Sequence, residues 1–208
     1  MPPESGHSMS FMDDAEVQTR KWTRLEYDRL VEAEFFRPDD RIELVGGHMV
    51  IKEPQYSPHA SLIGRVQQVL QKAFGSGWWV RAQLPLALDD ESEPEPDVSV
   101  VPGDADDYYD AHPTSAALIV EVALSRLRFD RGHKSSLYAR ARLADYWIVN
   151  TPDRRLEIYR DPMPDTEATF GWRYGLALTF THEQHVTPLA LPAASISVAD
   201  LLPRLRMP

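Results

Sequence analysis

The chain has 208 residues with 43% hydrophobic content and no cysteine, so it can form one domain with a real core, but neither a disulfide framework nor a thiolate zinc site. No apolar stretch approaches the ~20 residues that a membrane-spanning helix needs, which predicts a soluble protein with the cytoplasm as its default location. The formal net charge of −10 argues against a nucleic-acid partner, because proteins that bind phosphates usually carry a basic excess, although six acidic residues between positions 89 and 97 account for part of it.

The N-terminal part of the chain predicts a tail followed by a helix. Residues 1–20 lack the basic start and apolar core of a secretory signal, and we expect them to form a flexible tail. Residues 21–208 are then expected to form a single domain. Thr23 and Glu26 have the spacing of a capping box, which predicts a first helix that ends before Pro38.

A β-hairpin follows the first helix. Residues 41–45 and 48–51 are β-like segments separated by Gly46 and Gly47, and a two-residue hairpin turn favours glycine because it requires positive φ. The later elements follow from hydrophobic period and from cap or turn residues. In chain order they are a long helix capped by Ser57, a half-buried strand over 78–88, strands over 97–101 and 117–124, a helix capped by Asp130 and ending near Arg142, strands over 146–149 and 156–159, a strand over 172–180, and a short helix over 198–205.

Glu121 is the residue that most needs an explanation, because it interrupts the apolar run of residues 117–124. Burying an ionised carboxylate without a partner costs several kcal/mol or more, so a cation, strong donors or a proton must accompany it. Asp97 and Lys134 lie on neighbouring predicted elements. An aspartate, a glutamate and a lysine in this arrangement suggest a divalent-metal site.

The expected convergence of these side chains gives the site a definite chemistry. If Asp97 begins one core strand and Glu121 ends its neighbour, their carboxylates meet at one end of the sheet, where oxygen ligands suit magnesium or manganese. Such an ion polarises a phosphoryl oxygen and lowers the pKa of a bound water. Lys134 on the next helix would orient that water and offset charge on phosphorus, and it could also act as a base.

Each candidate residue also has a simpler structural interpretation. Asp97 follows a proline and could be a turn residue, and Lys134 could form a surface ion pair with Asp130 at i+4 spacing. Glu43 could be an outward-facing acid beside the metal, or merely exposed. His59, at the start of a helix, could contact phosphate, but we expect it to face solvent. His182 and His185 have a weak metal-like spacing without a third ligand nearby.

Several segments together resemble a bacterial family of small restriction-endonuclease-like proteins in the PD-(D/E)XK nuclease superfamily. The resemblance covers most of the chain beyond the tail. It rests on Glu121 in its strand and on the motifs Arg41-Ile42-Glu43-Leu44, Pro94-Glu95-Pro96-Asp97-Val98, Asp130-Arg131 with Lys134, Leu137-Tyr138-Ala139, Asp145-Tyr146-Trp147-Ile148-Val149, Leu156-Glu157-Ile158-Tyr159 and Asp200-Leu201-Leu202-Pro203.

The resemblance implies a fold and a ligand set. The fold is an α/β restriction-endonuclease-like core, with a mixed β-sheet flanked by helices and preceded by an N-terminal helix and β-hairpin. The metal, Mg²⁺ or Mn²⁺, would be held by Asp97, Glu121 and the backbone carbonyl of Val122, with Glu43 nearby.

The position of the lysine departs from the wider superfamily. The superfamily lysine lies two residues after the second acid, where this chain has Ala123. In the resembling family a lysine from the following helix takes over this role, and Lys134 matches that position. Leu124 and Arg142 depart from the polar residue and the glycine that are common among relatives.

Three functions are compatible with these features. The first is a metal-dependent endonuclease that hydrolyses DNA phosphodiester bonds with a metal-activated water, acting as a homodimer. The second is a non-catalytic binding or regulatory protein that keeps the nuclease fold, and the third is a hydrolase of small phosphoesters, which the acidic charge favours. An acyl-transfer elbow, a zinc-peptidase motif and a Walker-type phosphate loop are absent from the sequence.

Overall fold

A computed structural model of the chain describes residues 19–37, 40–52 and 56–204. The tail expected over residues 1–20 lies almost wholly outside these ranges, and the single domain over residues 21–208 stays a prediction. The helical elements are α1 (Arg24–Glu32), α2 (Ser57–Phe74), a 3-10 turn (Asp106–Tyr108), α3 (Leu127–Phe129), a π-helical turn (Asp130–Lys134), α4 (Ser135–Arg140) and α5 (Val198–Leu201). The strands are β1 (Ile42–Val45), β2 (His48–Ile51), β3 (Trp78–Ala82), β4 (Val98–Pro102), β5 (Leu118–Ala123), β6 (Asp145–Asn150), β7 (Arg155–Pro164), β8 (Trp172–Phe180), β9 (His185–Val186) and β10 (Ile196–Ser197).

A six-stranded mixed sheet is the centre of the fold. Its strand order is β3-β4-β5-β6-β7-β8, and every neighbouring pair is antiparallel except β5 and β6, which are parallel. Parallel neighbours need a crossover connection, and the chain from α3 to α4 supplies it. The predicted mixed sheet with flanking helices, an N-terminal helix and a hairpin is therefore confirmed.

Each face of the sheet packs against its own hydrophobic layer. On one face, alternate β5 residues such as Val120 and Val122 pack with the apolar stripe of α2 and with α5. On the other face, Ile119 and Ala123 pack with α4 and with Val45 of the hairpin. This alternation follows from the two-residue period of a strand, so Glu121 faces the α4 layer.

The first helix and the hairpin confirm their sequence signals. Thr23 caps α1 through a complete capping box with Glu26. The turn between β1 and β2 places Gly46 at φ +58 and Gly47 at φ +84, which is the left-handed region that the hairpin turn requires. The Gly46 backbone also lies against the ring of Phe170, leaving no room for a side chain there.

Several of the predicted boundaries are wrong, including the strand expected over 156–159, which is β7 and extends to Pro164. The strand expected over residues 78–88 ends at Ala82, because Gln83 turns the backbone to φ +52. The long helix is confirmed, but Ser57 is its first helical residue and Tyr56 is the N-cap, without a side-chain cap hydrogen bond.

The expected role of Asp130 as a helix cap is also wrong. Helical structure already begins at Leu127, and Asp130 starts a π-helical turn inside a continuous helical segment. The segment ends at Arg140, close to the predicted end. Asp130 therefore lies within the segment, where it is buried instead of capping a free helix end.

None of the helices in the described ranges has the length and apolar character that crossing a bilayer demands.

The terminal helix α5 is shorter than expected and ends at Leu201, while residues 205–208 lie outside the described ranges.

Replacing Gly46 by alanine should destabilise the fold by about 2 kcal/mol or more, because the new methyl group meets Phe170 and the residue must keep a left-handed φ. The matched control is G64A in α2, where the added methyl group meets nothing within 4 Å and alanine favours the helix by up to about 1 kcal/mol. Urea denaturation of both variants tests this, and equal stabilities would contradict it.

Candidate active site

A cleft at one end of the central strands brings the predicted acids together. β4 and β5 are antiparallel with Val98 opposite Val120, so Asp97, just before β4, lies beside Glu121 near the end of β5. The cleft has a volume of about 280 Å³ and is also lined by Glu43 and Lys134. The structure therefore places all of the predicted side chains around one cavity.

Glu121 is the most heavily bonded acid of the cleft. Its Oε1 accepts hydrogen bonds from Lys134 Nζ at 2.8 Å and from the Tyr138 hydroxyl at 2.7 Å. The backbone N–H of Asp97 donates to Oε2 at 3.3 Å. The buried carboxylate thus has both the cation and the donors that its position requires.

Asp97 is held by the neighbouring strand and by α2. Its Oδ2 accepts a hydrogen bond from the Val122 N–H at 2.8 Å and lies 3.2 Å from His59 Nε2. The expectation that His59 faces solvent is therefore wrong, since only 19% of its side chain is exposed. His59 reaches the cleft because it lies in the first turn of α2.

Lys134 lies between the carboxylates of Glu43 and Glu121 on the α4 side of the sheet. Its Nζ lies 3.4 Å from Glu43 Oε1, in addition to its contact with Glu121. Glu43 Oε2 accepts a hydrogen bond from the Glu95 N–H at 2.9 Å. The interpretations of Lys134 as a surface residue and of Glu43 as outward-facing are wrong, because the two residues are only 5% and 2% exposed.

The cleft shifts the pKa values of its ionisable groups. Burial raises the pKa of Glu121, although the Lys134 ammonium acts in the opposite direction. Burial alone would lower the pKa of Lys134, but the negative charges of Glu121 and Glu43 raise it above its ordinary value. The 2.8 Å contact agrees with a charged ammonium, so we take Lys134 to be protonated at neutral pH.

Asp97 and His59 form a second pair with opposite shifts. Burial opposes ionisation of Asp97, but the hydrogen bond and the charge of His59 outweigh it and lower the pKa of this aspartate. The pKa of His59 is raised, mainly by its hydrogen bond to Asp97 and also by the charge of that carboxylate, although burial acts in the opposite direction. The two shifts have the same cause and support each other.

Asp130 is a further acid of the cleft that the sequence analysis assigned elsewhere. It is 7% exposed and lines the cavity. Burial, followed by the charge of Glu121, raises the pKa of Asp130 to about 8. Lys134 four residues on acts in the opposite direction.

The donor set of the cleft fits a hard divalent cation. Carboxylate oxygens from Asp97, Glu121 and Glu43 and a backbone carbonyl at Val122 are the ligand types that Mg²⁺ and Mn²⁺ prefer. In the described ranges, no three His, Asp or Glu side chains are close enough to complete a metal centre by themselves. This still fits Mg²⁺, which proteins commonly hold through one or two carboxylates together with water and substrate phosphate.

The arginine-rich stretch over residues 126–142 is partly used for structural contacts. Arg131 makes a two-pronged ion pair with Glu157, and Arg140 lies 2.7 Å from Asp89. These contacts neutralise part of the positive surface that the sequence suggests beside the acids.

Sequence reasoning missed three residues of the site: His59, Asp130 and Tyr138. A usable signal was the spacing of Asp130, Lys134 and Tyr138, which recur every four residues and so share one side of the helical segment. No comparable pattern marks His59, because its partner Asp97 is 38 positions away.

Two comparisons relate the chain to known proteins. The family model Uma2, described as "Putative restriction endonuclease", matches residues 25–199. A crystal structure from Anabaena variabilis, described as "a putative nuclease belonging to DUF820", superposes with a TM-score of 0.64 at 14% sequence identity, covering 86% of this chain and 96% of that chain. At this identity the superposition shows the fold alone. None of the curated proteins matches the sequence.

Replacing Lys134 by methionine should lower the free energy of unfolding by about 3 kcal/mol, because two buried carboxylates lose their shared cation. The double variant E121Q/K134M should recover part of this loss, since it removes one of the uncompensated charges. Urea denaturation at neutral pH measures both. If the double variant is no more stable than K134M, the ion pair does not have the assigned role.

The raised pKa of Asp130 predicts a pH-dependent stability. Between the ordinary value of 3.8 and about 8, the folded chain retains a proton that the unfolded chain has lost, so stability falls as the pH rises through this window. D130N cannot ionise, and its Tm relative to the unmodified chain should therefore rise by several degrees between about pH 4 and about pH 8.5. Thermal melts monitored by circular dichroism check this, and a constant difference in Tm would refute the shift.

Proposed function

The chain belongs to the Uma2 family, and from this membership and the geometry of its cleft we propose that it is a metal-dependent endonuclease that hydrolyses DNA phosphodiester bonds. The observation that carries the proposal is the gathering of Glu43, Asp97 and Glu121 around Lys134 in one cleft. We place the chain in the PD-(D/E)XK superfamily on the same ground, with Lys134 in the role of the displaced lysine.

The cleft residues have distinct roles with respect to the ion. Asp97, Glu121 and the Val122 carbonyl would hold Mg²⁺ or Mn²⁺, and Glu43 would stand beside it. When bound, the ion supplies Lewis acidity, which polarises a phosphoryl oxygen and lowers the pKa of a coordinated water. The hydrogen bond from the Val122 N–H holds Asp97 in place, and the Tyr138 hydroxyl holds Glu121.

Lys134 would act as an electrostatic group and not as a base. Its pKa is raised by the surrounding carboxylates, so it carries a proton at neutral pH and cannot accept another. An ammonium on the wall of the cleft offsets the negative charge that develops on the phosphoryl oxygens during attack by water.

The family description supports DNA as the substrate, whereas the overall charge does not distinguish DNA from smaller phosphoesters. Arg41, Lys52 and Arg126 line the cleft and add positive charge close to the acids. Part of this positive charge is neutralised, because Lys52 Nζ forms an ion pair with Glu95 Oε2 at 2.8 Å. A cytoplasmic location and a homodimer stay predictions.

A cleavage assay with matched variants tests the proposed function. Purified protein with Mg²⁺ or Mn²⁺ should nick supercoiled plasmid, and D97N and E121Q should each lower the rate by about 100-fold or more, because they remove ligand charge. E183Q, which changes an exposed acid in the turn after β8, is the control and should keep full activity.

The same assay separates the alternatives. Turnover of a small phosphodiester without plasmid cleavage would replace DNA with a small substrate. Binding of DNA without any cleavage, unchanged in D97N, would favour the non-catalytic protein. Activity that is independent of added metal would overturn the proposal.

A further inference from the structure

Apolar side chains border the cleft that holds the buried acids. Tyr56, Leu124 and Phe129 line the same cavity as the carboxylates. Tyr56 is 69% exposed and Leu124 is 37% exposed, so both leave apolar surface in contact with solvent. Apolar walls around a few convergent polar groups are typical of a ligand site, and the roles assigned to the acids and to Lys134 do not use these walls.

These apolar groups come from opposite faces of the sheet. Tyr56 is the N-cap of α2, which packs on one face. Leu124 and Phe129 belong to the connection between β5 and α4, which packs on the other face. The ring of Phe129 stacks on His133 with 5.2 Å between the ring centroids, which holds this ring in place. The cleft therefore has an apolar border on two sides, and the ring of Tyr56 is its most accessible part.

A strand of DNA with unpaired bases offers a partner for each kind of group in the cleft. Its phosphates suit the ion and the Lys134 ammonium, and its nucleobases have faces that stack on aromatic side chains. In a duplex these faces are stacked on one another, and only the base edges are accessible in the grooves. An apolar border beside a phosphate site can therefore contact the face of a base only where that base is unpaired.

Charge and size also favour a single strand over a duplex. Proteins hold duplex DNA largely through lysine and arginine contacts to phosphates. This chain has a net charge of −10, and Lys52 of the cleft is already paired with Glu95. The cleft volume of about 280 Å³ lies near the lower end of the range for small-molecule sites, which is roughly 300–1,000 Å³. Stacking supplies affinity in a cleft of this size without a basic excess.

We propose that the cleft acts on unpaired DNA, and that the nucleobase next to the scissile phosphate stacks on Tyr56 and packs against Leu124 and Phe129. This inference rests on the proposed function, because it names the substrate of the same site. Negative supercoiling favours local strand separation, so a supercoiled plasmid is a substrate under this proposal and a relaxed plasmid is a poor one.

Three forms of one DNA sequence test the preference: a single-stranded circle, a negatively supercoiled plasmid and a relaxed closed plasmid. With Mg²⁺ or Mn²⁺, the single-stranded circle should be cleaved at least about tenfold faster than the relaxed plasmid, which is the effect expected of one base stacked on an aromatic ring. Cleavage of the relaxed plasmid as fast as the single-stranded circle would overturn the inference and leave the proposed function standing. No cleavage of any form would overturn both.

Variants of Tyr56 test the stacking itself on the single-stranded circle. Y56A should raise KM by about tenfold with little change in kcat, because it removes a binding contact and leaves the acids in place. Y56F keeps the ring and should behave like the unmodified chain. The matched control is Y109A, which removes a ring that is 88% exposed in the connection between β4 and β5.

The fold should tolerate these substitutions, because the Tyr56 side chain is largely exposed and makes no capping hydrogen bond to α2. Thermal melts check this, and the comparison of the three DNA forms needs no variant. An unchanged KM in Y56A, or an equal rise of KM in Y109A, would overturn the role of Tyr56.

Discussion

The buried ammonium of Lys134, shared between Glu121 and Glu43, is the interaction on which the architecture of the cleft depends. Three charges are removed from water here, and each would be costly without the others. Hydrogen bonds from Tyr138 and from the backbone N–H groups of Asp97 and Glu95 complete the coordination of the carboxylates. The site thus tolerates buried charge because each carboxylate oxygen of Glu121 and Glu43 lies beside the Lys134 ammonium or a hydrogen-bond donor.

The topology of the sheet explains why these groups can meet. The antiparallel pairing of β4 with β5 sets Asp97 beside Glu121, and the hairpin packs Glu43 against the same end of the sheet. The parallel pairing of β5 with β6 requires a crossover, and that crossover is the helical segment that carries Lys134. The same connection therefore links the two parallel strands and supplies the cation. The π-helical turn is at the same place, as such turns often are at functional sites.

The excess of acid in and around the cleft connects stability with the proposed activity. The pKa values of Glu121 and Asp130 are both raised, mainly by burial. The fold therefore contains two carboxyl groups whose ionised form is less stable than it would be in water. Perturbed acids in a cleft are typical of functional sites. In the proposed function a divalent ion would offset part of the negative charge of the cleft.

The sequence by itself determined the elements whose signals are local. Residue spacing and backbone preference predict the capping box at Thr23, the Gly46-Gly47 turn, the strand around Glu121 and the long helix α2. The predicted elements and the family resemblance together assign Asp97 and Lys134 to the same site as Glu121. Local signals failed where a contact between distant segments decided the outcome. Asp130 has the chemistry of a cap but is enclosed by the cleft, Gln83 ends β3 through a backbone turn, and His59 meets Asp97 only after the sheet forms. Only tertiary structure decides such contacts, because burial and partner charge arise from packing between segments that are distant in the chain.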